Sequence, residues 1–234
     1  MIDFHSHILP GIDDGSKNLE DTLKMLKEAK EVGFTKIIST SHYLDGYYEV
    51  EEKERIELLE ELKKQQKDIE LYLGSEIYIS DVMIEFLKGK KASTINNSRY
   101  VLFELPMNSK TMLAKEAIYQ LRGNGYIPII AHPERYCYIQ DDIKYLEELA
   151  EMGALFQSNY GSIIGIYGKK AEKTVKKLLK QDFIQFLGSD VHRPNQIYHN
   201  IPKIMKKLKR IISIEKIEEL TTINPQKVLD NEEI

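Results

Sequence analysis

What the chain lacks narrows its class first. One cysteine, Cys137, among 234 residues excludes an internal disulfide and makes a reducing cytoplasm the expected compartment. No apolar run approaches the roughly 20 residues of a membrane-spanning helix, so direct membrane insertion is not expected. The opening residues, Asp3 and His5 among them, are not a basic segment followed by an apolar core, and no signal peptide is expected. Positive charge is not in excess: 33 Lys and Arg stand against 37 Asp and Glu, a formal net of −4. That balance argues against a nucleic-acid backbone as main partner. No stretch rich in Pro, Gly or Ser marks a linker. With 42% hydrophobic and 30% charged residues, the composition is that of a globular protein. The length suits one large domain or two small ones.

What is present is a repeating alternation. The chain begins with an apolar run ending in His5-Ser6-His7, and residues two apart on a strand point the same way. Further β-rich runs are expected at 34–40, 69–73, 99–103, 126–131, 154–157 and 183–187. Helices are expected at 19–33 after an Asn18 cap, 51–68 with Ile56, Leu59 and Leu62 inward, 81–88, 110–122, 141–152 and 168–180. Two more, at 200–211 and 214–221, complete the chain, with residues 231–234 expected to fray. Strand, loop and helix recurring seven times call for a parallel sheet. The strands end in His5/His7, His42, Glu76, Glu104, His132, Asn159 and Asp190/His192. Successive gaps from His5 are 37, 34, 28, 28, 27 and 31 residues, each about one β/α unit. Polar residues at carboxyl strand ends are the pattern of a barrel active site. An open sheet would spread them along a line. A closed or nearly closed (β/α)7 barrel, occupying residues 1–234 as one domain, is therefore expected.

The donors so gathered are His5, His7, Asp14, His42, Glu76, Glu104, His132, Asp190 and His192. One metal needs three or four ligands, so nine converging donors suit two or three divalent ions with Glu76 as a bridge. Four carboxylates crowded together without cations would raise one another's pKa values. Five of the six histidines fall at expected strand ends; only His199 does not.

The segments HSHILPGIDDG, TSH, GSEIYI, LFELP, AHPERY, NYGS and GSDVH, in this order, resemble the polymerase and histidinol phosphatase (PHP) superfamily. More closely, they resemble the bacterial manganese-dependent protein-tyrosine phosphatases of the CpsB/CapC/YwqE group. The likeness runs from Met1 to about Leu229. It implies a distorted TIM-like barrel with a trinuclear site at the carboxyl ends of the strands. One ion would lie on His5, His7, Glu76 and Asp190, a second on Glu76, Glu104 and His132, a third on Asp14, His42 and His192. Mn²⁺ is the implied metal; Fe, Zn, Mg or Co would suit the same donors.

The resemblance further implies two phosphate-binding arginines. Arg135 matches the first. Arg193 stands immediately after His192 in a shortened loop, in the place of the second. The implied reaction is attack on phosphorus by a hydroxide bridging two ions. Bidentate guanidinium suits the phosphoryl oxygens, and the phenol leaving group, of pKa about 10, departs readily. The implied substrate is the phosphotyrosine tail of a bacterial tyrosine kinase controlling capsule or exopolysaccharide synthesis. The alternative is a small phosphate monoester such as histidinol phosphate, or a module that binds phosphotyrosine tails without cleaving them. The sequence leaves the oligomeric state open.

Other features carry less. Arg135 has a second reading, an ion pair with Glu134. Cys137 lacks an arginine six residues on, where Ile143 stands, and is expected to be a buried or half-buried thiol. Tyr43, Tyr47 and Tyr48 are expected to line the entrance or to form a mobile aromatic loop. The lysines of 169–180 are expected to be a solvated helix face or a dock for an acidic tail.

Overall fold

The computed structural model describes residues 1–234. Nine parallel strands occupy seven positions around a distorted barrel. They are β1 (Ile2–Ser6), β2 (Lys36–Ser39), β3 (His42–Tyr43), β4 (Glu70–Leu73), β5 (Glu76–Tyr78), β6 (Tyr100–Glu104), β7 (Ile127–Ala131), β8 (Leu155–Asn159) and β9 (Phe186–Gly188). Hydrogen bonding runs β1-β2-β4 and β3-β5-β6-β7-β8-β9, all parallel. A parallel bridge from Ser6 to Val191 joins the first strand to the segment after the last. His7 N donates to Val191 O and Asp190 N to His5 O across the same seam.

Two of the seven positions are broken strands, which the apolar pattern does not reveal. The second is β2 then β3, interrupted at Thr40–Ser41; the third is β4 then β5, interrupted at Gly74–Ser75. Arg55, fully buried, holds both breaks. Its guanidinium donates to Ser41 O at 2.8 Å, His42 O at 2.6 Å and Ser75 Oγ at 3.1 Å, and its Nε to Val50 O at 2.6 Å. The helix carrying it spans Glu52–Gln65 and turns Arg55, Leu59 and Leu62 inward. Ile56, expected inside, is 41% exposed: a buried cation on the strand breaks sets the helix rotation.

Apolar residues fill two layers. Ile2, Phe4, Ile38, Leu102, Ile129 and Phe186 belong to the cluster inside the barrel, with Val228 and Leu229 at its base, and Phe4 stacks on Phe186 at 4.0 Å. A larger cluster lies between the barrel wall and the outer helices. The residues expected to fray return to the barrel: Arg99 N donates to Asn231 Oδ1 and Tyr100 Oη to Glu232 O. The expected helix at 141–152 is two helices, Cys137–Asp141 and Lys144–Glu151. A short helix, Tyr160–Ile163, precedes the lysine helix Gly168–Lys180. The Asn18 cap is present, accepting from Asp21 N at 2.9 Å.

Candidate metal centre

The strand ends form a polar cup on the apolar interior. Its first wall is β1, whose pairing with β2 slips between Asp3 and Ser6, so that two residues of β1 face one of β2. Such a bulge re-aims side chains. It lets Phe4 join the interior cluster while its neighbour His5 also reaches the polar cup; strict alternation would send one outward.

Four donor atoms form a cage at the centre. His5 Nε2 lies 3.5 Å from Glu76 Oε2 and 3.3 Å from Asp190 Oδ1. His7 Nε2 lies 3.4 Å from each of the same two oxygens, and the two Nε2 atoms are 3.4 Å apart. These five separations, 3.3 to 3.5 Å, match the spacing of neighbouring ligands bound at about 2.1 Å to one ion, the length of a bond from zinc to imidazole or carboxylate. Glu76 Oε2, fully buried, has no hydrogen-bond partner, and a buried acceptor without a donor is costly. The donor set thus fits a divalent cation in both size and charge.

The remaining donors surround this cage. His132 Nε2 is 2.9 Å from Glu76 Oε1 and 3.8 Å from Glu104 Oε2. His42 Nδ1 is 3.2 Å from Glu76 Oε2 and 3.5 Å from Glu104 Oε1, while its Nε2 is 3.5 Å from Asp14 Oδ1. His192 Nε2 is 3.4 Å from Asp14 Oδ1. Groups with metal-ligating spacing are His5, His7 and Asp190; His5, Glu76 and His132; His42, Glu76 and Glu104; and His7, Asp14, His42 and His192. All nine expected donors are therefore in one cluster. Their grouping differs from the expected one: Glu76 groups with His5 and His132 and with His42 and Glu104, His7 also joins Asp14, His42 and His192, and His42 lies between two subsites, one ring nitrogen toward each.

Neighbouring groups orient the imidazoles. Asp13 Oδ2 accepts from His7 Nδ1 at 2.8 Å and from His42 N at 2.8 Å, and its Oδ1 from Gly15 N at 2.8 Å. Thr40 Oγ1 faces His5 Nδ1 at 2.9 Å, and Asp190 O faces His192 Nδ1 at 3.0 Å. The Asp13 carboxylate and the Asp190 carbonyl, which only accept, place the proton of His7 and of His192 on Nδ1 and turn the Nε2 lone pair to the cup, the arrangement of a metal-ligating histidine. Thr40 holds His5 by Nδ1 with its Nε2 facing the cup. Asp13 was not among the expected residues. Its neighbour Asp14 was, and adjacent carboxylates in one turn are indistinguishable by residue type. Gly15 fits here because a Cβ would come within 2.4 Å of His7 Cβ and O. Gly188 passes His5 as closely: a Cβ there would meet His5 Cβ at 2.5 Å. His132 and Asp190 have positive φ, 34° and 53°, a left-handed conformation concentrated at functional sites.

The electrostatics call for cations. Burial alone would raise Glu76, but His5, His42 and a hydrogen bond from His132 hold it well below its ordinary range. Asp190 is likewise low, its burial outweighed by hydrogen bonds from His5 and His7. Glu104 pays for both: burial, then the charges of Glu76 and Asp190, push its carboxyl up to about 9. The protein alone must keep a proton there at neutral pH.

The two arginines differ. Arg135 donates from Nη1 to Asp190 Oδ2 at 2.7 Å, and its guanidinium lies 4.5 Å from the Tyr167 ring centroid. Its Nε and Nη2 have no protein acceptor, so donors remain for an anion. Glu134 is not its partner: it is buried and accepts from Ser158 Oγ, Asn159 N and Ser162 Oγ. Asn159 Nδ2 donates to Asp190 at 2.7 Å. Arg193 Nη1 instead donates to the carbonyls of Asp14 at 2.5 Å, His192 at 2.7 Å and Gly15, tying the loop after β9 to the loop after β1. Tyr43 is buried against Phe86 rather than at the entrance. Tyr48 stacks on His42 at 5.9 Å, and Tyr47 is 80% exposed. Cys137 is exposed, contrary to expectation.

This barrel and this cup define a class: hydrolases that use divalent cations at the carboxyl ends of parallel strands. The chain belongs to the family described as capsular polysaccharide synthesis, CpsB/CapC, which it matches over residues 1–230. The tyrosine-protein phosphatase YwqE of Bacillus subtilis is 36% identical over 82% of this chain and 77% of its own. A chain from the crystal structures of YwqE and of CpsB from Streptococcus pneumoniae, described as unique metal-dependent tyrosine phosphatases, superposes with a TM-score of 0.90. It is 31% identical and the match covers 100% of this chain and 96% of that one. Histidinol phosphate phosphatase from Lactococcus lactis shares the fold, with a TM-score of 0.57 at 17% identity over 90% of this chain and 92% of that one.

Proposed function

We propose that the cup at the strand ends hydrolyses phosphotyrosine. The protein is a metal-dependent tyrosine phosphatase of the capsule-synthesis family. The observation that carries the catalytic assignment is the approach of His5 and His7 Nε2 to within 3.5 Å of both Glu76 Oε2 and Asp190 Oδ1, with the unpartnered buried Glu76 oxygen, next to Arg135. Those four donors would hold a first cation; Glu76, Glu104 and His132 would hold a second and Asp14, His42 and His192 a third, with His42 shared toward Glu104. Mn²⁺ is the proposed metal. Bound there, divalent cations supply Lewis acidity to a phosphoryl oxygen and lower the pKa of a water toward neutrality.

The chain's own groups do the rest. Arg135 binds non-bridging phosphoryl oxygens with its free donors, held between Asp190 and the Tyr167 ring. Asp13 and Thr40 keep the Nε2 atoms of His7 and His5 aimed inward. Cations bound beside Glu104 would favour its carboxylate form. The leaving phenolate, conjugate base of a group of pKa about 10, needs little help from a general acid. Arg193, its Nη1 occupied by main-chain carbonyls, shapes the Asp14 loop and offers only its remaining donors to phosphate. The whole chain, residues 1–234, acts as one domain. The substrate is the phosphotyrosine tail of a capsule-controlling tyrosine kinase, met in the cytoplasm. No helix is long and apolar enough to cross a membrane.

The test is phosphate release from a phosphotyrosyl peptide with EDTA, with Mn²⁺ restored, and in the His5→Ala/Glu76→Ala variant, beside histidinol phosphate. Peptide hydrolysis that is lost to EDTA, recovered with Mn²⁺ and absent in the variant is expected. Hydrolysis indifferent to chelation, or faster turnover of histidinol phosphate, would overturn the assignment.

A further inference from the structure

The helix Gly168–Lys180 is set apart from the rest of the surface by its charge. With the neighbouring segment 201–210 it carries eleven Lys and Arg and one acid, Glu172, in a chain of net −4. Those 23 residues hold +10, and the other 211 hold −14. Glu172 binds Lys176 and Lys207, each at 2.6 Å, and so joins the two helices. Lys170 pairs with Asp141. Lys169, Lys173, Lys177 and Lys180 have no ion pair, and all four are exposed. Their spacing of 4, 4 and 3 residues puts them in one row along the helix. A shallow trough follows the same face, bordered by these lysines, Lys176, Gln181 and Glu172, whose carboxylate is neutralised by Lys176 and Lys207.

The row has a starting point. Tyr167, the residue before the helix, has its ring 4.5 Å from the Arg135 guanidinium. A helix that follows a barrel strand runs from the strand's carboxyl end down the outside of the barrel. The lysine row therefore leaves the rim of the cup beside the phosphate-binding arginine. From Lys169 to Lys180 it extends about 17 Å at 1.5 Å per residue, the reach of about five residues of extended chain. Unpaired like charges at this spacing repel one another and favour an anionic partner.

We propose that this lysine row is an anchoring track for a multiply phosphorylated tyrosine tail, holding the neighbours of the phosphotyrosine seated in the cup. The proposal rests on the phosphatase function above and extends it from a single phosphotyrosine to a polyanionic segment. Each phosphotyrosine brings a charge of about −1.5 to −2. Phosphates a few residues from the reacting one fall along the row, and retention there keeps the tail at high effective concentration for the next cleavage. A singly phosphorylated short peptide gains nothing from the row.

The experiment compares the Mn²⁺-loaded protein with a variant carrying Lys169→Gln, Lys173→Gln, Lys177→Gln and Lys180→Gln. Substrates are p-nitrophenyl phosphate, a singly phosphorylated hexapeptide and a triply phosphorylated peptide of about 15 residues with phosphotyrosines three to five apart. The variant should keep the unfolding temperature and kcat on p-nitrophenyl phosphate. KM should rise about tenfold or more for the triply phosphorylated peptide only, and its salt dependence should flatten. Equal changes in KM for both peptides, or none, would overturn the track. Binding of phosphatidylglycerol vesicles that the variant loses, with peptide kinetics untouched, would overturn it in favour of a lipid surface. Failure of the unmodified protein to cleave any phosphotyrosyl peptide would overturn the phosphatase reading itself; cleavage without discrimination overturns the track alone.

Discussion

At the scale of residues, the cup is set by groups that never reach its centre. Asp13 holds His7 by its Nδ1, fixes the backbone N–H of His42 and closes its own turn on Gly15. Asp13→Asn keeps the shape and loses the charge that makes Nδ1 a committed donor. It is expected to weaken Mn²⁺ binding about 10- to 100-fold, measured by titration calorimetry on the apo protein. Tyr167 backs Arg135 as a flat cationic platform. An interaction of about 0.5–2 kcal/mol predicts that Tyr167→Ala raises KM for phosphotyrosyl peptide by a factor of about 2 to 30, while Tyr167→Phe leaves it unchanged. A KM raised equally in both variants would mean that the hydroxyl, not the ring, is used.

At the scale of elements, the breaks in the second and third strand positions bend His42 and Glu76 into the cup, and Arg55 satisfies the carbonyls that the break exposes. Bonds from a charged donor contribute about 1.5–3 kcal/mol each, and stranded buried acceptors add to the loss. Arg55→Met is therefore expected to cost about 3 kcal/mol or more, seen as a lowered urea midpoint, with weaker Mn²⁺ binding because His42 loses its support. Glu172 joins the lysine helix to Ile201–Leu208. Hydrogen bonds from Lys176 and then Lys207 lower its pKa from 4.5 to about 2. A carboxylate lowered on folding stabilises above its unfolded pKa and ceases to as pH falls through the folded one. The unfolding-temperature gap between the protein and Glu172→Gln should thus be constant above pH 5 and vanish between about 4.5 and 2. A gap that persists at pH 2 would mean that the ion pairs contribute nothing to it.

At the scale of the whole molecule, the donor cluster is also the closure of the barrel. His5 stands on the first strand and His7 just past its end, Glu76 on the third position and Asp190 after the last. A cation bound among them links chain segments 185 residues apart. Binding only to the folded state stabilises it by mass action, about 4 kcal/mol at a thousandfold excess over Kd. Mn²⁺ should raise the unfolding temperature by several degrees and EDTA should reverse it, with no response in His5→Ala/Glu76→Ala. A shift of equal size in that variant would place the stabilising ion elsewhere.

The sequence by itself determined the barrel and the membership of its cup. Seven recurrences of an apolar run ending in His, Glu, Asn or Asp can converge only if parallel strands close on themselves, and chain order is enough to see it. The tertiary structure alone decided what surrounds those donors. The strand breaks, the inward Arg55, the supporting role of Asp13 and the partnering of Arg135 with Asp190 rather than Glu134 all depend on contacts between segments distant in the chain. Burial decided them: a polar group removed from water takes whichever partner the packed neighbour presents, and residue type and spacing do not say which neighbour that is. Arg193 shows the limit most plainly. The family resemblance implies phosphate for it, while the packing of two loops turns its Nη1 onto their carbonyls.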